Sequence, residues 1–279
     1  MLGVYTILQV NENGWGSAET LGLGAVAIAL IAAFVVRQGR IANPLMPLRL
    51  FHSRNVSGAN LVLGLTVVGM FGMFFLGALY LQLVLGYDPL EVGFAFLPAT
   101  LIMGTLSLGF TDKINMRFGP RKVVIATLVF LVAGLLLFAR APVDGSYFTD
   151  IFPVMILLGL GAGLSFPALM MLAMSGAEPS DAGLASGLIN TTAQVGGAIG
   201  LAVLATLASS RTDGLLADGE STAAALTSGY HLALLIGAAC VAVAVVIGLL
   251  VLRDPSPEAA GAAHSPDAPA GQPAYSDAV

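Results

Sequence analysis

The chain has 279 residues, 57% of them hydrophobic and 10% charged, with a mean hydropathy of +0.91 and a net charge of −5. Soluble domains average about 25% charged residues, so a water-soluble core is excluded, and the lack of a basic excess argues against a nucleic-acid surface. One cysteine, Cys240, excludes an internal disulfide and a cysteine-based metal site; no metal or cofactor is expected.

Met1–Val10 is apolar but only about half of a crossing at ~1.5 Å per residue. It reads as the outer end of a helix whose inner half lies upstream, or as a short interfacial segment, and 1–20 is assigned to that end and an outer loop. A charge-free gap from Glu19 to Arg37 supplies a first full span, assigned to 21–36, and a basic stretch at 37–55 follows. Six longer gaps come next: Arg54 to Asp88, Glu91 to Asp112, Lys122 to Arg140, Asp150 to Glu178, Asp181 to Arg211 and Glu220 to Arg253. A helix needs roughly 20 apolar residues to cross a ~30 Å hydrocarbon core, so each gap fits one crossing. A membrane barrel would alternate polar and apolar residues over ~10-residue segments, and these segments do not. The expected fold is all-α, with seven transmembrane helices and a six-helix bundle over 56–252. The Pro/Ala/Gly-rich stretch 253–279 has almost no large apolar residues and reads as an unstructured tail.

Alternating the loops between two sides puts nine of the 11 basic residues on one face, leaving only Arg140 and Arg211 on the other. Lys and Arg are retained in the cytoplasm, so the C-terminus is expected inside. Two loops share a pattern. Asp88-Pro89-Leu90-Glu91-Val92-Gly93 follows the second span, and Glu178-Pro179-Ser180-Asp181-Ala182-Gly183 follows the fifth. Acid, proline and a second acid at that spacing suit a helix start and its capping box. All four carboxylates are therefore expected to be caps. Three spans separate the copies, so they fall on opposite sides, as an inverted repeat of two three-helix units requires.

Candidate residues follow from what lipid tolerates. Ionisable groups are costly inside a membrane, and the six long gaps contain only His231. In the sixth span Gly183, Gly187, Asn190, Gln194, Gly197 and Leu201 recur on one helical stripe. Asn190 and Gln194 would meet either partners on other helices or a wet cavity. Gly183/Gly187, Gly196/Gly200 and, in the fifth span, Gly159/Gly163 are spaced for close helix packing. Pro167 invites a kink. In the second span Asn60, Met70, Met73, Phe74 and Phe75 suit either a cavity for bulky apolar compounds or lipid-facing packing.

Several stretches together resemble one family. They are Asn13-Gly14-Trp15-Gly16, the run Pro44 to Phe51, Gly72-Met73-Phe74-Phe75 with Tyr80-Leu81-Gln82, Arg117-Phe118-Gly119-Pro120-Arg121, and Ala182 to Thr191 continuing through Gln194 to Ala198. The chain resembles the C-terminal half of a fourteen-span drug:proton antiporter of the major facilitator superfamily (EmrB/QacA-like). The resemblance implies one linker helix and a six-helix bundle, apolar or cationic small-molecule substrates, protons as the coupling ion, and a plasma-membrane location. It also implies that the coupling carboxylate belongs to an N-terminal half, and that this half alone is inactive. The basic turn resembles the family's cytoplasmic latch, which places Asp112, Lys113, Arg117, Gly119, Arg121 and Lys122 at a gate. The acid expected three residues before Gly119 is replaced by Met116, and Asp112 is left to pair with Lys113 or Arg117.

A seven-helix receptor or a non-transporting membrane scaffold is the alternative. A retinal protein fails because the only lysines, Lys113 and Lys122, lie in a loop. An intramembrane enzyme fails for want of a His-Glu-x-x-His or Gly-x-Ser-x-Gly motif.

Overall fold

A computed structural model describes Thr6 and residues 17–41, 48–178 and 181–254. Residues 1–5, 7–16, 42–47 of the basic stretch, 179–180 and the tail beyond Asp254 lie outside the described residues, as do the readings made for them. Among the described residues seven helices are long and apolar enough to cross a membrane, as the charge gaps predict. Helix α1 (Ala18–Arg40) starts at Ser17, whose hydroxyl accepts from the Thr20 amide. Helix α2 (Arg54–Leu79) is capped by Ser53 and runs on through a π-type turn, Tyr80–Val84. Helix α3 (Pro89–Gly109) opens on a complete capping box. Asp88 accepts from the Leu90 and Glu91 amides at 2.8 Å each, and Glu91 accepts from the Asp88 amide at 2.9 Å.

A short amphipathic helix, α4 (Thr111–Phe118), precedes α5 (Pro120–Phe138). The charge pattern left this segment as a basic loop. It is helical because Ile114 and Phe118 share a face one turn apart, with Lys113 and Arg117 beside them. A second π-type turn, Tyr147–Ile151, leads into α6 (Phe152–Ser175). Helix α7 (Ala182–Ala217) outruns its charge-free gap by six residues, because an exposed Arg211 at a span end can extend its charge toward water. Helix α8 (Thr222–Val251) is capped by Ser221.

The packing order shows two inverted units. In the first (α2, α3, α5) the leading helix α2 packs mainly on α7 and α8 of the second. In the second (α6, α7, α8) the leading helix α6 packs mainly on α3 and α5 of the first. The third helices, α5 and α8, meet each other. Most of the helix packing thus lies between the units, although α7 and α8 of the second unit also pack on each other. The shared core contains Leu63, Met73, Leu76 and Tyr80 of the first unit with Met155, Leu169, Leu234 and Val241 of the second. Helix α1 stands outside; only 12% of its span is buried.

Candidate functional site

Two helix junctions position the site. Apolar side chains gain little by leaving lipid for each other, so helix contact depends on small residues and close backbone approach. At the α3–α6 junction, a Cβ on Gly159 would lie 2.9 Å from the Ala99 carbonyl oxygen, and one on Gly163 would lie 3.0 Å from the Met103 Cα. Pro167 deprives the Gly163 carbonyl of its helical N–H, and the Ser107 hydroxyl of α3 donates to that carbonyl at 2.7 Å. At the α2–α7 junction, a Cβ on Gly196 would come within 3.3 Å of the Gly64 carbonyl oxygen, and Gly200 faces Val68. Gly183 and Gly187 depart from the expectation: nothing lies within 4 Å of a Cβ at either, so they are not packing glycines in this bundle.

The α7 stripe changes character along its length: Gly183, Gly187, Asn190 and Gln194 turn outward, whereas Gly197 is buried. Asn190 and Gln194 are exposed. Asn190 donates only to the Ser186 carbonyl of its own helix, at 3.0 Å, and Gln194 forms no hydrogen bond among the described residues. Neither joins helices within the bundle. The second-span candidates divide. Phe75 is exposed, and Phe74 is half-buried with its ring centroid 5.6 Å from that of Phe96 on α3. Phe71 lies over Gly197 of α7. Leu61, Phe71 and Phe75 fall on one helical stripe, so α2 presents an aromatic strip between α3 and α7. Met73 is fully buried and lines no open face. Asn60 is also buried; its amide donates to the Val56 carbonyl at 2.8 Å and accepts from the Thr192 hydroxyl at 2.8 Å. Met73 packs in the core, and Asn60 joins α2 to α7, because a polar group buried in an apolar core must find its partners there.

The basic end is built differently from the expected latch. A break at Phe110 separates α3 from α4, and among the described residues Asp112 forms no ion pair with Lys113 or Arg117. Arg117 instead sits 5.4 Å from the centroid of the Phe118 ring. Gly119 adopts a φ of +83°, which favours glycine, and opens α5. The carboxylate at this helix start comes from the far end of the bundle sequence. Asp254 accepts from the Arg121 amide at 3.2 Å, and the Arg121 guanidinium donates to the Leu249 carbonyl at 2.7 Å. A carboxylate there complements the positive end of the α5 dipole. Arg253 and Asp254, assigned by sequence to the tail, are therefore bound to the bundle. Asn55 joins three segments: its amide donates to Ser175 and to the Arg253 carbonyl, and accepts from the Arg253 amide at 3.0 Å.

The second acid-Pro loop also differs. Asp181 is buried and makes no side-chain cap to α7. It binds Arg49 at 3.0 Å, and Glu178 approaches the same guanidinium at 3.7 Å. Arg49 draws both carboxylates to it, so the second copy works as a clasp where the first copy works as a cap. His231 lies beside the Ala141 carbonyl at 2.9 Å, which ties the start of α8 to the loop after α5.

Helices of membrane-spanning length, two inverted three-helix units and an outward polar stripe on α7 define a multi-pass bundle of transporter architecture. The profile of the Major Facilitator Superfamily matches residues 5–201, and the chain belongs to that family. It is a membrane protein of a transporter family and not an enzyme. It is 34% identical over 252 residues to the puromycin resistance protein pur8 of Streptomyces alboniger, covering 89% of this chain and 49% of the relative. It is 35% identical to the cephamycin export protein CmcT of Amycolatopsis lactamdurans, covering 76% and 44% respectively. The tetracenomycin C resistance and export protein of Streptomyces glaucescens is 33% identical, covering 77% and 40%. The chain spans about half the length, or somewhat less, of the curated relatives it matches.

Proposed function

We propose that this chain acts as one bundle of a proton-coupled multidrug exporter that works by alternating access, with substrate bound between it and a second bundle. The observation that carries this is the exposed Asn190–Gln194 stripe on α7, beside the aromatic strip Phe71–Phe75 of α2. The amide groups that Asn190 and Gln194 leave unpaired would cost several kcal/mol if they faced hydrocarbon, on the order of the penalty for unsatisfied groups in lipid. A wet cavity or a facing bundle relieves that cost. The aromatic strip offers apolar and cationic compounds a surface. Relatives named for antibiotic resistance and export support the same reading. The coupling carboxylate comes from the facing bundle. We assign the end bearing Lys113, Arg117, Arg121 and Lys122 to the cytoplasm of the cell membrane from its positive charge. There the Asp254–Arg121 contact takes the place of the acid missing at Met116 and acts in the gate.

The test is dye efflux from cells lacking their major exporters. Cells producing this chain alone should retain a cationic dye. Cells in which the chain is joined to the N-terminal half of the Streptomyces alboniger relative should expel it, and collapsing the proton gradient should stop them. Efflux by the chain alone overturns the paired-bundle reading, and efflux that persists without the gradient overturns proton coupling.

A further inference from the structure

We infer that the groove between α4, α5 and α6 at the basic end holds one anionic phospholipid of the surrounding bilayer, its acyl chain along α5 and its phosphate on Lys122. The groove has a volume of about 320 Å³ and is walled by Ile114 and Phe118 of α4, Lys122, Ala126 and Phe130 of α5, and Leu164 of α6. Lys122 is the only charged side chain in it. The hydroxyl of Thr127 at its floor is already committed to the Val124 carbonyl, at 2.8 Å. The occupant must therefore have an apolar body, and only its head can be charged.

Length and depth fit a lipid. Lys122 to Phe130 spans about 12 Å of helix, within the ~15 Å that half of a ~30 Å hydrocarbon core allows. Lys122 stands near the start of the α5 span, so the charged end of the groove lies at the interface and the apolar end inside the bilayer. Charge complementarity selects the head. Among the described residues Lys113, Arg117 and Lys122 have no ion-pair partner, and the one carboxylate on α4 is Asp112. Arg117 is held at the rim by the ring of Phe118, whose other role is to wall the groove. A zwitterionic head would bring its own cation to these three, and an anionic head would not. Helix α4 itself has the form of an interfacial helix, apolar toward the groove and basic beside it. The groove involves none of α2, α7 or α8, so it is separate from the face proposed for substrate.

Native mass spectrometry of the full chain released from nanodiscs tests this. Phosphatidylglycerol and phosphatidylcholine with identical acyl chains would be supplied in equal amounts. One phosphatidylglycerol should remain bound, in preference to phosphatidylcholine. Lys122→Gln and Arg117→Gln should each lower its retention about fivefold, the effect of one basic residue at a membrane surface. Ala126→Phe, which fills the groove, should remove the bound lipid without touching a charge. Circular dichroism and thermal unfolding of each variant establish that it is folded. Added inorganic phosphate should not displace the lipid; displacement would mean a phosphate site and overturn the lipid assignment. Equal retention of the two lipids, or retention unchanged in folded Lys122→Gln and Ala126→Phe, would also overturn it.

Discussion

Asp181 is buried and Arg49 is largely exposed, with side-chain exposures of 8% and 61%, and that asymmetry decides what each substitution leaves behind. Arg49→Ala strands a carboxylate at the start of α7 and should cost about 1.5–3 kcal/mol, the range for a lost hydrogen bond to a charged group. Asp181→Asn removes the buried charge and frees Arg49 to water, so it should cost less. Glu178 is 68% exposed and 3.7 Å from the guanidinium, so Glu178→Ala should cost under about 1 kcal/mol. Thermal unfolding in detergent micelles reads the order, and a Glu178→Ala loss equal to that of Arg49→Ala would mean that burial of Asp181 is not what matters. Raising salt should narrow the Glu178 effect before the Asp181 effect, because exposed pairs are screened first. None of this was visible in the motif. Both acid-Pro loops carry helix-start chemistry, and only the placement of Arg49 against the second copy turns its acids away from the backbone.

At the scale of helices, the α3–α6 junction couples a missing donor to an added one. Pro167 withholds an N–H from the Gly163 carbonyl, and Ser107 replaces it from the neighbouring helix. Ser107→Ala should therefore destabilise the bundle by about 0.5–1.5 kcal/mol. The same change in a Pro167→Ala background should cost less, because residue 167 can then donate to Gly163 along the helix. A double-mutant cycle measured by unfolding in mixed micelles gives the coupling directly, and additivity of the two changes would disprove the compensation. Gly163→Val should be the harshest change at this junction, since its Cβ would press on the α3 backbone at Met103. The sequence showed Gly159, Gly163 and Pro167 as close-packing and kinking residues, because their chemistry is local. Ser107 escaped notice because its partner lies 56 residues away. The glycines at 183 and 187 have the same spacing as those at 196 and 200, yet they face outward. Spacing identifies a stripe, but which stripe of a helix meets a neighbour depends on how the helix is rotated in the bundle.

For the whole molecule, the seven spans were legible because lipid excludes charge so strongly that the gaps between charges outline the helices. The inverted repeat was legible for a weaker reason, a six-residue match three spans apart, and the packing of α2 on α7 and α8 against α6 on α3 and α5 gives it a structural form. Contacts that close the basic end were not legible, since Asn55 meets a partner 198 residues away and Asp254 one 133 residues away. At this scale the exposed face of α7 is the surface that an assembled transporter would set against water. A cavity and a lipid surface differ in water. With Cys240 replaced by Ser, Gln194→Cys in the joined exporter should react readily with a small, charged thiol reagent, because thiolate formation and reagent access both require water. Val243→Cys is a suitable control: Val243 is 51% exposed and lies within the α8 span, eight residues before its end at Val251. It should react at least about tenfold more slowly, the ratio expected for a free-energy difference of ~1.4 kcal/mol. A bulky cationic substrate should protect residue 194 and leave residue 243 unchanged. Equal rates at the two positions would place the Asn190–Gln194 stripe in lipid or in a dry interface, and the substrate face would then have to be sought elsewhere on the bundle.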